Sequence, residues 1–158
     1  MTLRLVSPAP PSAGLALAGG RARVRRGVLW QLRNADSVAI YDGGELLAVA
    51  MFGPHGWRRI EMALAIGASA APRMHRLVRL AQMTLARIGK THLVVASVHP
   101  ANAAGQRMAR LVGFRPARCG PPGIWVFRGA RQNGCDFRRR AERPAQGGRG
   151  QPQTAGGG

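Results

Sequence analysis

The stretch LVVASVHPANAAGQRMARLVGF, residues 93–114, predicts a buried strand, a helix and a second strand in close succession. Its first four residues are apolar and include two valines, which is typical of a strand in a protein core. Pro100 ends this strand, because proline has no N–H to donate to a neighbouring strand. Asn102 is a favoured helix-capping residue, and Gly113 suits the left-handed conformation that ends many helices. We therefore predict a helix between these two residues, followed by an extended segment that starts at Phe114.

Before this stretch, the sequence predicts a hairpin, a third strand and a long helix. The Asp-Gly-Gly sequence at 42–44 is a strong turn signal between two apolar segments. Apolar residues that recur every three or four positions predict the long helix, and a loop is expected at 53–56. The predicted strands lie at 3–6, 38–41, 46–52, 59–66, 93–98 and 124–128, and the predicted helices lie within 13–33, at 72–88 and at 103–112.

The order of strand, Asn102, helix and Gly113-Phe114 resembles the C-terminal half of the GNAT family of N-acetyltransferases. In that family an Asn is followed by eleven residues and a Phe, with a Gly just before the Phe, and this chain matches that spacing. The resemblance covers about 38–128. It implies an α/β fold with a mixed, mostly antiparallel sheet, flanked by helices, whose central strands splay apart. A strand–helix–strand unit within a mostly antiparallel sheet agrees with the predicted order of elements.

The resemblance also implies that acetyl-CoA binds in the cleft between the two splayed strands, which correspond to 59–66 and 93–98. An amine would attack the thioester carbonyl directly, while backbone groups of either strand polarise the carbonyl oxygen. The implied function is that of an N-acyltransferase that moves an acetyl group from acetyl-CoA to an amine. Backbone groups of the first strand hold the pantetheine arm in the family, and the corresponding residues here are Met62, Ala63 and Leu64.

The family binds the pyrophosphate of the cofactor with a glycine-rich turn at the start of the long helix, where backbone N–H groups favour anions. The corresponding stretch here, 67–74, lacks the two internal glycines but keeps small residues. Arg76 could add positive charge, although an ordinary loop and an exposed basic helix face explain the same residues. The implied phosphate-binding residues are Ala68, Ala71, Arg73, Met74 and, on the later helix, Arg107, for which a solvated helix face is the alternative.

Glu61 and Ser97 are the candidate catalytic residues. Many members of the family use a Glu on the first splayed strand as the general base that takes a proton from the amine. Strand alternation turns Glu61 away from the apolar side chains of its strand, and an ion pair with Arg58 or Arg59 is its alternative role. Ser97 and His99 flank the end of the second splayed strand, where either could replace a missing acid.

Ala109 departs from the pattern of the family. Members that use a tyrosine as general acid place it seven residues after the Asn, and alanine at this position cannot donate a proton to the leaving thiolate. The only tyrosine, Tyr41, lies on the hairpin. Asn102 corresponds to the Asn near the pantetheine arm, and its alternative role as a helix cap is compatible with that one. Because general acid catalysis contributes about 10²–10⁴-fold, the sequence leaves open whether activity is retained, reduced or absent.

The composition is strongly basic, with 24 basic residues against 6 acidic ones and a formal net charge of +18. The positive electrostatic field of such a chain favours binding of polyanions, among them nucleic acid, an anionic membrane or a phosphorylated cofactor. The alternative explanation of the charge is a compositional bias, since Arg, Ala, Gly and Pro are abundant together, as in proteins of GC-rich genomes. Because the chain has few acidic residues, we expect no acidic patch that would attract a polyamine. An anionic or neutral acceptor, or a peptide N-terminus, fits the charge of the protein better.

The 158 residues predict one GNAT-like domain at 1–128 and a basic Gly/Arg/Pro-rich tail at 129–158 that we expect to be disordered. Cys119 and Cys135 lack the spacing of a zinc site, so we expect no metal. No apolar run approaches the length of a membrane-spanning helix. These features favour a cytoplasmic protein without a membrane partner, and they do not fix the oligomeric state.

Two alternatives to catalysis remain at this point. The first is a catalytically inactive protein of the GNAT fold, structural or associated with nucleic acid, such as a phage, prophage or virion component. The arginine-rich surface and tail suit packing near DNA, and such binding should weaken steeply with salt. The second is an unrelated small basic α/β domain in which the match from Asn102 to Phe114 is accidental.

Overall fold

The computed structural model describes residues 3–118 and 120–127, which form one seven-stranded sheet with helices packed against it. The strands are β1 (Leu3–Val6), β2 (Asp36–Asp42), β3 (Glu45–Pro54), β4 (Arg59–Ile66), β5 (Leu93–Ser97), β6 (Phe114–Pro116) and β7 (Ile124–Phe127). The helices are α1 (Pro11–Leu17), α2 (Ala22–Asn34), α3 (Met74–Ile88) and α4 (Ala103–Val112), and a 3₁₀ helix at Ala68–Arg73 precedes α3.

The strand order in the sheet is β1-β2-β3-β4-β5-β7-β6, and within the described residues β4 and β5 are the one parallel pair. Antiparallel neighbours can be joined by short turns, whereas the parallel pair needs a crossover, which α3 supplies. The predicted α/β fold with a mixed, mostly antiparallel sheet is confirmed.

The core lies on both faces of the sheet because the central strands alternate. Met62, Leu64 and Ile66 of β4 face α3, where Leu77 and Leu85 are fully or almost fully buried. Between them, Ala63 packs with the group that includes residues of α1 and α2 on the other face. The predicted apolar stripe of α3 is therefore confirmed, and helices cover both faces of the strand that borders the candidate site.

Several predicted boundaries are wrong for local reasons. The helix predicted within 13–33 is two helices, because Gly19 adopts a φ of 67° between α1 and α2. The long helix starts at Met74 rather than 72, since Pro72 lies inside the 3₁₀ helix. Pairing with β4 extends β3 through Gly53 and Pro54, which were predicted as loop.

The last predicted boundaries concern β5 and the chain end. β5 ends at Ser97, one residue before the prediction, and β7 is described through Phe127. The tail at 129–158 and both cysteines lie outside the described residues. Within the described part, no helix has the length and apolar character to cross a membrane.

Candidate functional site

A cleft opens in the middle of the sheet because β4 and β5 separate after a short paired segment. Their parallel pairing covers three positions, the last of which joins Glu61 to Val95. β4 nevertheless continues to Ile66 while it pairs with β3 throughout. Alternate N–H and C=O groups of a strand point to opposite edges. Beyond Glu61, those on the β5 side of β4 therefore line the opening and are available to a ligand.

The cleft has a cavity volume of about 330 Å³ and three walls. One wall is β4, the second is the end of β5 with the loop that follows, and the third is one face of α4. Gln31 of α2 also lines the cleft. The residues that line it from the three walls are Glu61, Met62, Ala63, Leu64 and Ile66, then Ala96, Ser97, Val98, His99 and Asn102, and finally Gly105, Met108, Ala109 and Val112, with Phe114.

The capping residues of α4 fix the third wall. Oδ1 of Asn102 accepts a hydrogen bond of 2.9 Å from the N–H of Gly105, which satisfies a backbone donor in the first turn. A Cβ atom at Gly105 would lie 2.6 Å from Nδ2 of Asn102, so a larger residue there would displace the capping side chain. At the other end Gly113 has a φ of 107°, in the left-handed region. Both caps are confirmed as predicted.

Ala109 lies on the cleft-facing side of α4 and is 8% exposed. The position at which the resemblance implies a general acid therefore does face the cleft in this chain. A methyl group stands there, so this wall is apolar at Ala109 and carries no proton donor at that point.

Glu61 lies at the junction of the cleft and a second pocket. This second pocket, which we call the α2 pocket, has a cavity volume of about 460 Å³. Oε2 of Glu61 is 3.5 Å from Nδ1 of His55, and both side chains are partly exposed. The predicted alternation is confirmed, since Glu61 and Ala63 face the α2 pocket. The residues that line it are Trp30, Gln31, Asn34, Ala35, Met51, Gly53, Pro54, His55, Glu61 and Ala63.

The turn predicted to bind phosphate is held by the hairpin instead of facing the cleft. Nε of Arg73 donates a 2.8 Å hydrogen bond to Oδ2 of Asp42, whose side chain is only 2% exposed. A second nitrogen of Arg73 lies 3.3 Å from Glu45, and Arg76 lies 3.5 Å from the same oxygen of Asp42. Ser69 adds a hydrogen bond to the carbonyl of Leu46. These contacts fasten the 3₁₀ helix to the β2–β3 turn.

The structure brings some of the predicted site residues together and leaves others apart. Those that line the cleft are Glu61, Met62, Ala63, Leu64, Ser97 and Asn102, with His99 beside them. Those that do not line it are Ala68, Ala71, Arg73, Met74 and Arg107. Met74 packs against a core cluster, and Arg107 is exposed on α4. Cζ of Arg110, the other arginine of α4, lies 5.2 Å from the centre of the Trp125 ring.

Sequence reasoning missed the lining residues of α4 and α2. Gly105, Met108 and Val112 recur at helical spacing with Ala109, so the apolar periodicity of α4 was a signal that could have found them. Gln31 had no such signal, because a polar residue on an amphipathic helix is most simply read as solvent-exposed. Its position at the cleft depends on how α2 packs across the sheet.

Solved structures of N-acetyltransferases share this architecture. An IAA acetyltransferase from Bacillus cereus is 16% identical, with a TM-score of 0.57 over 73% of this chain and 78% of that one. A Bacillus subtilis acetyltransferase in complex with CoA is 13% identical, with a TM-score of 0.57 over 79% and 95%. A GNAT family acetyltransferase from Elizabethkingia anophelis with acetyl-CoA bound is 11% identical, with a TM-score of 0.57 over 78% and 94%.

Sequence comparison adds nothing to this likeness, since no family model and no curated protein matches the chain. The predicted order of elements, the single parallel strand pair and the solved structures agree with one another. The chain has the fold of the GNAT N-acetyltransferases.

Proposed function

We propose that the protein is an N-acyltransferase that uses acetyl-CoA as the acyl donor and an amine as the acceptor. The observation that carries this proposal is the separation of β4 from β5 after Glu61, which opens a cleft with unpaired strand edges inside the sheet. Two structures of the same fold contain CoA or acetyl-CoA. The cleft adjoins the α2 pocket, with Glu61 lining both, so we assign the donor to the cleft and the acceptor to the α2 pocket.

The residues of the cleft fit the pantetheine arm of acetyl-CoA. The open edge of β4 from Met62 to Leu64 offers hydrogen-bonding groups to its amides, and Met108 and Val112 offer an apolar wall. Asn102 would stand beside the arm while it caps α4. When bound, acetyl-CoA supplies the thioester carbonyl that the amine attacks. We assign no phosphate-binding role to Arg73, because its guanidinium group is paired with Asp42 and Glu45.

Glu61 is the group best placed to take the proton of the acceptor amine. Its carboxylate reaches both the cleft and the α2 pocket, and among the described residues it is the one acidic side chain that lines either of them. His55 lies 3.5 Å away and opens to solvent, so a proton taken by Glu61 has a short route out. General base catalysis requires this reach to the amine, directly or through one water.

Ala109 defines how the leaving group must depart. With no acid on α4, the sulfur leaves as a thiolate that takes its proton from water. A thiol ordinarily has a pKa of about 8.5, so its conjugate base is a tolerable leaving group near neutral pH. Catalysis then rests on the positioning of amine and thioester and on the base at Glu61.

Calorimetric titration of the protein with acetyl-CoA tests the proposal, and we expect saturable heat with one site per chain. Ser97→Trp, which places a large ring in the cleft from an exposed position, should abolish the heat, while Ser12→Trp at an exposed position of α1 should not. Folded protein that shows no heat with acetyl-CoA would contradict the proposal. Glu61→Gln should bind acetyl-CoA normally yet transfer acetyl groups about 10²-fold more slowly.

A second candidate function is supported by the alanine at 109. It removes the acid that many members of the family use for turnover, so a protein of this fold that binds CoA without transferring the acyl group is the alternative. Thiol release in the presence of a panel of amines separates the two functions. Binding of acetyl-CoA with no release above that of buffer would favour the inactive alternative.

A further inference from the structure

The helix α2 carries a stripe of cations and one aromatic ring on its outer face. Arg23, Arg26, Trp30 and Arg33 follow one another at spacings of three and four residues, which places them within an arc of about 80°. The inner face of the same helix is apolar, and its Val28 is buried. This outer surface, which we call the α2 face, is about 15 Å long at about 1.5 Å per residue.

The cations of the α2 face have no anionic partner in the described part of the chain. All three arginines are exposed, and neither an ion pair nor a hydrogen bond engages any of their guanidinium groups among the described residues. Arg73, by contrast, is paired with two carboxylates. Trp30 is 67% exposed, although a tryptophan usually buries most of its ring.

The α2 face borders the pocket that holds the proposed base. Trp30 belongs to both, since its ring is on the outer face while the residue lines the α2 pocket together with Glu61. A molecule held along the arginines would therefore pass the entrance of this pocket at Trp30.

We propose that the α2 face binds single-stranded nucleic acid, with phosphates on the three arginines and an unpaired base stacked on Trp30. Guanidinium groups bind phosphate strongly, and aromatic side chains stack on the faces of unpaired bases. Resting on the proposed function, this assigns the acceptor as an amine carried by a nucleic acid, delivered through the α2 pocket to Glu61.

Other anionic partners fit the α2 face less well. A helix that binds a membrane surface inserts an apolar face, but the apolar face of α2 already packs against the protein, and Val28 within it is buried. An acidic peptide would satisfy the arginines but would make no particular use of an exposed ring between them. Both partners are outcomes that the test below distinguishes.

The test is fluorescence anisotropy of a labelled single-stranded RNA of mixed sequence, titrated with the full chain and with charge-matched variants. Arg23→Gln/Arg26→Gln/Arg33→Gln removes the α2 arginines, and Arg79→Gln/Arg87→Gln/Arg107→Gln removes the same charge from exposed positions elsewhere. We expect the first triple variant to weaken binding at least about tenfold at low salt, and to make the slope of log K against log salt shallower by about 2. The control triple should change affinity by less than about threefold.

A second comparison tests the stacking role. Trp30→Ala should weaken RNA binding by at least about fivefold, whereas Trp57→Ala, at an even more exposed ring, should leave it unchanged. Equal losses in the two arginine triples would overturn the proposal, because binding would then follow net charge alone. So would wild-type affinity in Trp30→Ala, or tighter binding to anionic vesicles or to a polyglutamate peptide than to the RNA.

The proposed function and the proposed nucleic-acid binding can be refuted independently of each other. Acetyl-CoA binding is measured by calorimetry without RNA, and RNA binding is measured without acetyl-CoA. Loss of RNA binding in the α2 variants, with normal acetyl-CoA binding, supports the nucleic-acid face. Normal acetyl-CoA binding with no retention of RNA by the wild-type protein overturns it and leaves the acyltransferase proposal intact.

Discussion

Arg73 and the buried Asp42 form an ion pair, 2.8 Å between Nε and Oδ2, across 31 residues of sequence. It joins the 3₁₀ helix before α3 to the end of β2. Arg73 itself is 28% exposed and also lies near Glu45, so it keeps a partner when Asp42 is neutralised. We expect Asp42→Asn to lower the free energy of unfolding by about 2 kcal/mol, because a buried charge-assisted hydrogen bond is lost, measured by urea denaturation.

Glu45→Gln is the matched control for that prediction. Glu45 also lies near Arg73, at 3.3 Å, but its side chain is 49% exposed. Solvent screens such a pair, so the expected change is below about 1 kcal/mol. Similar losses in both variants would show that burial does not set the strength of this contact.

Asn102→Ala separates the capping role of this residue from a ligand-binding role. Loss of the cap on α4 should lower the free energy of unfolding by about 1 kcal/mol. Asn102→Ser retains a capping oxygen and should be near wild type in stability, yet it lacks the amide nitrogen. Weakened acetyl-CoA binding in both variants would assign a ligand-binding role to the amide; weakening in the alanine variant alone would leave only the cap.

Two glycine-to-alanine substitutions are predicted to change the stability of the fold in opposite directions. Gly113 has a φ of 107°, and a Cβ atom there would lie 3.1 Å from the Phe127 ring, so Gly113→Ala should destabilise the fold by about 1–2 kcal/mol. Gly27 lies within α2 with open space around it, so Gly27→Ala should stabilise by about 0.5–1 kcal/mol. Thermal unfolding of the two variants checks the contrast.

Ala109→Tyr tests whether the fold still accommodates a general acid. The residue faces the cleft, so a phenol introduced there could protonate the leaving thiolate, and we expect acetyl transfer to rise about tenfold or more. Ala109→Phe has nearly the same size without the hydroxyl and should give no gain. A tyrosine variant that folds and is no faster than the phenylalanine variant would contradict this expectation.

The sequence was most informative where structure is local. The hairpin turn at 42–44, the strand at 59–66 and both caps of α4 depend on residues close to one another, and all were predicted. Together with the family resemblance of 93–114, those elements implied the fold, and the structure brings Glu61, Ser97 and Asn102 to one cleft.

Contacts between distant parts of the chain could not be predicted. Arg73 is predicted to bind phosphate because the residues around it resemble an anion-binding turn, and its ion pair with the buried carboxylate of Asp42 was not foreseen. Its partner Asp42 lies on β2, and no local sequence pattern indicates an ion pair between residues so far apart in the chain. Likewise, the position of Gln31 at the cleft and the α2 pocket beside Glu61 follow from how α2 packs on the sheet.

The short pairing of β4 with β5 also predicts that the two halves of the sheet can open from each other more easily than either half unfolds. β4 pairs with β3 at seven positions and β5 with β7 at four, but only three positions join the two halves of the sheet. Backbone amides along this narrow join should exchange with deuterium sooner than those within either half, since opening there breaks few hydrogen bonds. A ligand that bridges the gap would act as a missing strand, so its binding should slow exchange in both halves at once.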